Sequence, residues 1–133
     1  MNEAAKSTDS DVVAVICRGS RMLSSPSSDT RWQGAILAGE FCESHPELVW
    51  PVVARWGCSR RADTRMAVAT CILEHLLEYH FTPYFERVAA AVRAGDRLLG
   101  DTLSSCWLFG QSELPTNKRR FHAFTRKLKT RDA

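Results

Sequence analysis

Hydrophobic residues recur along this chain at spacings of three and four positions, the period of an α-helix. The clearest case is residues 64–80, where a wide apolar stripe indicates a helix that packs on more than one side. That stripe comprises Ala69, Ile72, Leu73, Leu76 and Leu77. No segment shows the sustained alternation of apolar and polar residues that is typical of strands, and no Asn-Gly or Asp-Gly hairpin signal occurs. The pattern therefore predicts an all-α fold.

Start and stop signals divide the chain into helices. Proline suits the first turn of a helix, Ser, Thr or Asp suits its N-cap, and glycine commonly follows its last residue. These signals predict about five to six helices, arranged as antiparallel hairpins, with one helix over 97–110 and a last one over 115–133. In chain order the signals are Pro46, Gly57, Asp63, Thr82-Pro83, Gly95, Asp96 and Pro115.

The N-terminal quarter is less regular. Residues 1–10 are polar, and we expect them to be disordered. Residues 11–18 are short and apolar and favour a helix capped by Ser10 or Asp11. Residues 19–30 are rich in serine and contain Pro26, which predicts a loop. The single helical domain thus spans 11–133, and the helix after this loop should end near Ser44, because Pro46 disfavours helical geometry at the preceding residue.

The two central hairpins correspond to each other. The offset is 37 residues between their opening prolines, Pro46 and Pro83, and 38 between their closing glycines, Gly57 and Gly95. The capping aspartates, Asp63 and Asp96, are 33 apart, because the first inter-helix turn is longer. A helical hairpin repeated at such a period is typical of an α-solenoid, in which neighbouring units bury each other's faces.

The segment PELVWPVVARWGCSRRADTRMAVATCILEHLL, 46–77, resembles a HEAT repeat: proline opens the first helix and Asp-x-Arg starts the second. The second unit, 82–110, is a weaker match, since Arg97 directly follows Asp96 and no alanine run is present. The resemblance covers roughly 30–110 and implies a short HEAT-like stack of hairpins. It also implies that Asp63 and Arg65 help to join adjacent units. The length allows about two to three hairpins, enough for a compact binding face.

Composition limits the class of protein. With 133 residues, 25% of them charged and 44% hydrophobic, the chain predicts one ordinary globular domain. It contains no apolar run long enough for a membrane span, and its N-terminus lacks the features of a secretory signal, so we expect a cytoplasmic protein. The five cysteines show no CxxC pair, and in a reducing compartment they are expected to be small buried hydrophobes.

The net charge of +3 conceals an asymmetry. Residues 115–133 hold seven basic residues and one acidic residue, a balance of 7 − 1 = +6, whereas the rest of the chain holds 11 basic and 14 acidic residues, a balance of −3. Phe121, Phe124 and Leu128 could dock this last helix while its charges face outward. Such a strip attracts phosphate backbones or acidic surfaces. The candidate nucleic-acid-binding residues are Lys118, Arg119, Arg120, Arg126, Lys127 and Lys129.

Candidate catalytic chemistry is sparse. Glu74, His75 and Glu78 form the densest polar cluster and could serve acid–base work, but a solvated helix face is the simpler interpretation. The order is opposite to the Glu-x-x-His of di-iron bundles, and neither HExxH nor a nucleophile or phosphate-binding motif occurs. Two Cys/His pairs, Cys71 with His75 and Cys42 with His45, do not amount to a zinc site. We expect no metal and no cofactor.

The sequence therefore favours binding over catalysis. The leading hypothesis is a small cytoplasmic helical-repeat protein that recognises another protein, as an adaptor or a toxin-neutralising immunity protein. Because tryptophan and arginine dominate interface hot spots, we expect Trp56, Arg60 and Arg61 to lie on the binding surface. The alternatives are nucleic-acid binding through the C-terminal helix and an enzyme that uses Glu74, His75 and Glu78. The sequence leaves the oligomeric state open.

Overall fold

The computed structural model describes residues 8–132, which consist of helices joined by short turns and contain no strand. Because α4, a π-helical turn and α5 follow one another without a gap, these residues form six helical rods. The predicted all-α class is therefore confirmed. The elements are α1 (Asp9–Met22), α2 (Ser28–Gly39), α3 (Pro46–Trp56), α4 (Ala62–Val68), the π turn (Ala69–Leu73), α5 (Glu74–Arg93), α6 (Arg97–Ser104), a 3-10 helix (Gly110–Glu113) and α7 (Pro115–Asp132).

Helices α1 and α2 form a tight antiparallel hairpin. A Cβ atom added to Gly19 would lie 2.6 Å from the Gly34 carbonyl oxygen, and one added to Gly34 would lie 2.5 Å from the Gly19 carbonyl oxygen. Gly19 also faces Leu37 and Ala38 further along α2, while Gly34 faces Met22, so the two helices run in opposite directions. Only glycine permits this close approach of the two backbones.

The loop predicted over 19–30 is confined to residues 23–27, because α1 continues to Met22 and α2 begins at Ser28. Polar residues cap the starts of both helices. Thr8 and Asp11 form a capping box at the start of α1, and Ser27 caps α2 through the Thr30 N–H. The prediction of disorder over 1–10 was wrong for residues 9 and 10, which lie in α1. Residues 1–7 lie outside the described part of the chain.

The core lies along the rod formed by α4, the π turn and α5. Every residue of the predicted stripe over residues 69–77 is at most 1% exposed. Helices α2, α3 and α6 all pack on this rod, which explains why the stripe is so wide. None of the described helices is both long enough and apolar enough to cross a membrane.

Three predicted boundaries require correction. The break predicted at Thr82-Pro83 lies at His80, whose φ of −143° and ψ of 59° interrupt α5. The helix predicted over 97–110 ends at Ser104, although its predicted cap, Asp96, does accept a hydrogen bond from the Leu99 N–H. The helix predicted to reach Ser44 ends at Gly39.

Asp63 joins two neighbouring hairpins and does not cap α4, whose N-cap is Arg61. Its carboxylate accepts hydrogen bonds from Trp32 Nε1 at 3.0 Å, from Arg31 at 2.8 Å and from Ser28 Oγ at 2.9 Å. These bonds lower the pKa of Asp63 to about 2, and the bond from Trp32 has the largest effect. Asp63 thus links α4 to α2, a contact of the kind that the HEAT resemblance implies. The superhelical arrangement itself stays a prediction.

Candidate functional site

The sequence-predicted binding residues occupy the turn between α3 and α4 and the adjoining helix end. Arg60 and Arg61 are exposed in that turn. Trp56 is half-buried, its indole N–H donates to Ser20 Oγ at 2.9 Å, and the Arg55 guanidinium lies 5.0 Å from its ring centre. Trp56 is therefore in contact with α1 and with Arg55. The ring forms one wall of a cleft between α1 and α3.

The most exposed tryptophan is Trp107, which is 71% accessible to solvent. It lies in the segment between α6 and the 3-10 helix, together with Phe109, and Leu114 follows that short helix. Phe109 and Leu114 are 41% and 55% exposed. The backbone is extended at Phe109, so alternate side chains point to opposite sides, and Leu108 between them packs against the core. We call residues 105–114 the Trp107 segment.

The segment is fixed to the beginning of α5. The Trp107 N–H donates to Glu74 Oε1 at 2.9 Å. Gly110 has a φ of +52°, and a Cβ added to it would lie 2.8 Å from both Cγ and the carbonyl oxygen of Glu78. Glycine alone meets both conditions at this position. The segment therefore lies directly on α5, and Trp107 is presented by ordered backbone.

Gln111 ties the same segment to the break in α5. Its Oε1 accepts from the Phe81 N–H at 2.9 Å, and its Nε2 donates to the Tyr79 carbonyl at 2.6 Å. In a regular helix the Tyr79 carbonyl would accept from residue 83, but Pro83 has no N–H. The Gln111 amide thus supplies the donor that the proline lacks.

The structure brings together the predicted acid–base cluster. His75 Nδ1 lies 2.8 Å from Glu78 Oε1, and His75 Nε2 lies 3.8 Å from Glu74 Oε2. The Phe109 ring stacks on His75 at 6.3 Å. Burial raises the pKa of Glu74, against the opposing effect of the Trp107 N–H. These contacts give the cluster a role in holding the Trp107 segment, and its use in catalysis stays a prediction.

Helix α7 divides its predicted basic residues between two sides. Arg120 forms an ion pair with Glu86 and lies over the Phe85 ring, and Lys127 borders the same region beside Phe124. On the outer side, exposed residues at spacings of three and four positions share one face of the helix. We call this face the basic ridge: Lys118, Arg119, His122, Arg126 and Lys129.

The basic ridge adjoins the Trp107 segment. Leu114 immediately precedes α7, and Asn117 Nδ2 donates to the Gln111 carbonyl at 2.9 Å, which joins the two elements. A shallow groove of about 600 Å³ runs along the start of α7. Its lining includes Glu113, Pro115, Lys118, Arg119, His122 and Arg126. Exposed apolar residues and cationic residues therefore meet where the segment enters α7.

All five cysteines are free, and they differ in burial. Cys42 and Cys106 are buried, and their S–H groups donate to carbonyls of the π turn, those of Ile72 at 3.3 Å and Ala69 at 3.6 Å. Burial raises the pKa of Cys42 to about 12. Cys17 is exposed and Cys58 and Cys71 are half-buried, so the prediction of buried cysteines was wrong for Cys17 and only partly met at the other two. Among the described residues, no three His, Cys, Asp or Glu side chains are grouped so that they could hold a metal ion.

Comparison with protein families, with curated proteins and with solved structures found no match to this chain. The resemblance to HEAT repeats therefore rests on the residues of the sequence alone.

Proposed function

We propose that this protein is a small binding protein, built as a short stack of HEAT-like hairpins, that recognises another protein through the Trp107 segment. The observation that carries the proposal is the exposure of Trp107, Phe109 and Leu114 on ordered backbone. Large apolar side chains that are exposed together mark interaction sites, and tryptophan is the commonest hot-spot residue. The free cysteines support a location in the reducing cytoplasm.

The chemistry beside the segment indicates the kind of partner. Lys118 and Arg119 are exposed within five residues of Leu114, and no ion pair involves either of them among residues 8–132. A partner with an apolar pocket for Trp107 and acidic residues around it would match both features. An adaptor target and a toxin bound by its immunity protein both fit this description.

The proposal predicts that position 107 lies inside the interface. A photo-crosslinking residue is placed at position 107 in cells of the source organism, and the crosslinked protein is identified and purified. Its affinity for the wild-type chain is then compared with that for Trp107→Ala by calorimetry. We expect about 30-fold weaker binding, the effect of a hot-spot residue worth about 2 kcal/mol.

Ile36 provides the matched control, because it is 44% exposed on α2, away from the segment. A crosslinker at position 36 should not capture the same protein, and Ile36→Ala should change affinity by less than about twofold. Equal capture at both positions, or unchanged affinity of Trp107→Ala, would refute the proposal.

A second candidate function, nucleic-acid binding, is favoured by one observation. The basic ridge carries four cationic side chains and His122 along one exposed face, with no Asp or Glu between residues 114 and 131. If the ridge contacts phosphates of duplex DNA, log K should fall with log salt by about 0.9 per phosphate. Arg119→Gln should reduce that slope by about one contact, whereas Arg60→Gln, outside the ridge, should not. Affinity that is independent of salt would reject this function.

A further inference from the structure

The surface around the cleft between α1 and α3 has an excess of positive charge. Residues 12–28 and 48–62, the two stretches that include every residue lining the cleft beside Trp56, contain no Asp or Glu. Within residues 8–132 none of their arginines takes part in an ion pair. Those arginines are Arg18, Arg21, Arg55, Arg60 and Arg61.

The cleft itself is small, and four of its six lining residues are serine or arginine. Its volume is about 290 Å³, near the lower limit for ligand sites, which suits a compact group more than a whole macromolecular surface. Cys17, Ser20, Arg21 and Ser24 follow one face of α1 at helical spacing, and Arg55 and Trp56 close the cleft from α3. Two guanidinium groups thus border one cavity that contains no carboxylate.

The hydroxyl groups are oriented by their own hydrogen bonds. Ser20 Oγ accepts from the Trp56 indole at 2.9 Å, so its remaining hydrogen is available for donation. Ser24 Oγ donates to the Arg21 carbonyl at 2.6 Å, which holds the last turn of α1 in place. The donors available to a ligand are therefore the Ser20 O–H and the N–H groups of Arg21 and Arg55.

The helix ends do not cancel this charge. Both α1 and α3 end at the cleft, and each helix C-terminus carries roughly half a negative charge. Together they offset about one of the five arginine charges, which leaves the region strongly positive. We propose that this cleft binds a phosphate monoester group, because a compact dianion would engage two guanidinium groups and one hydroxyl at once.

The indole N–H of Trp56 provides a direct reporter in a ¹H–¹⁵N spectrum. Inorganic phosphate, O-phosphoserine and a nucleoside monophosphate are titrated separately into the full chain at constant ionic strength. We expect a saturable shift of the Trp56 indole signal below about 10 mM ligand, while the Trp107 indole signal stays fixed. Trp56→Phe assigns the signal. Tighter binding of one monoester identifies the source of the phosphate group, and equal binding of all three shows that the phosphate alone is recognised.

Charge-neutralising variants test the donors. Arg21→Gln and Arg55→Gln should each weaken binding by about tenfold or more, the effect of losing a hydrogen bond to a charged group. Arg93→Gln removes the same charge from the exposed end of α5 and should leave the affinity unchanged. Dispersed spectra of all three variants confirm that they fold. The proposal is overturned if no phosphate compound shifts the Trp56 signal, if acetate shifts it equally, or if Arg93→Gln weakens binding as much as Arg21→Gln.

Discussion

His45 and His80 share a non-helical backbone conformation, and each marks a break between helical segments. The side chains that form contacts at the two breaks differ. His45 has a φ of −136° and a ψ of 56°, and the values at His80 are −143° and 59°. Each is followed by a helix with proline near its start, Pro46 in the first case and Pro83 in the second. The first break follows a turn after the end of α2 at Gly39 and precedes a new helix, whereas at the second break the helix resumes at once.

The first break is closed by neighbouring side chains. His45 Nδ1 lies 2.8 Å from Ser44 Oγ, its Nε2 lies 3.2 Å from Asp9 Oδ1, and the Phe41 ring meets the imidazole edge-on at 6.1 Å. The second break is closed by Gln111, from a segment thirty residues further along the chain. That segment also presents Trp107 at the surface.

Only the second break is joined to the segment that we propose as the binding surface. Because the residues that present Trp107 also complete the hydrogen bonds of α5, the exposed side chain is held in place before any partner binds. Such preorganisation lowers the entropy cost of association. The contacts of His45 are with Ser44, Asp9 and Phe41, so changes there should leave the Trp107 segment in place.

The largest effect should come from the aromatic residues at the two breaks. Phe81 is fully buried and stacks on Phe85 at 4.9 Å, so Phe81→Ala should reduce the free energy of unfolding by about 3–5 kcal/mol. Phe41 is only half-buried, and Phe41→Ala should cost about 1–2 kcal/mol. Urea unfolding measures both values. A loss for Phe41→Ala as large as for Phe81→Ala would show that the two breaks are equally embedded in the core.

An intermediate effect should follow from removing the amide that closes the second break. Gln111→Leu leaves the Phe81 N–H and the Tyr79 carbonyl without their partner and should cost about 1–3 kcal/mol. Amide exchange at Phe81 should accelerate as well. Gln33→Leu, at an exposed position of α2, makes the same chemical change and should cost less than about 0.5 kcal/mol. Equal stability of the two variants would mean that solvent replaces Gln111 without loss.

The sequence predicts buried helix faces and local caps better than it predicts where α6 ends. The 3.6-residue period reveals the stripe over 69–77 because burial of a continuous helix face depends on spacing alone. Asp96 is recognisable as a cap because its bond to the Leu99 N–H is local. The end of α6 was missed because the apolar run Cys106-Trp107-Leu108-Phe109 begins two residues after Ser104 and suggests a continuing helix. Four consecutive apolar residues cannot all face the core from one helix, so such a run is itself a sign of an irregular, partly exposed segment.

The candidate site was harder to predict because burial of a tryptophan depends on distant residues. Trp56 is fixed by Ser20, 36 positions earlier, and Trp107 is left exposed by the alternation around Leu108. Neither relation is visible in the spacing of the sequence. The basic ridge was predicted more fully, since it follows from the period of one helix, although the ion pair of Arg120 with Glu86 was not.

The smallest expected effect is a change in the pH dependence of stability. It concerns Glu74, which accepts the hydrogen bond from the Trp107 N–H. Burial raises the pKa of Glu74, with the nearby Glu78 acting in the same direction and the Trp107 N–H and His75 opposing it. The folded state therefore holds the proton more tightly than the unfolded state, whose pKa is near the ordinary value of 4.5. Stability from this group is complete below that pH and decreases as the pH rises towards the folded pKa.

Glu74→Gln removes this titration and keeps an oxygen that can accept from the Trp107 N–H. The difference in unfolding free energy, variant minus wild type, should therefore increase as the pH rises above about 4.5. Thermal unfolding at a series of pH values measures it. Glu40→Gln, at an exposed site after α2, makes the same charge change, and its difference should stay flat. Parallel profiles for Glu74→Gln and wild type would show that the carboxylate is as well solvated in the folded chain as in the unfolded one. Its bond to the Trp107 N–H would then be a surface contact, and Gln111 alone would hold the segment on α5.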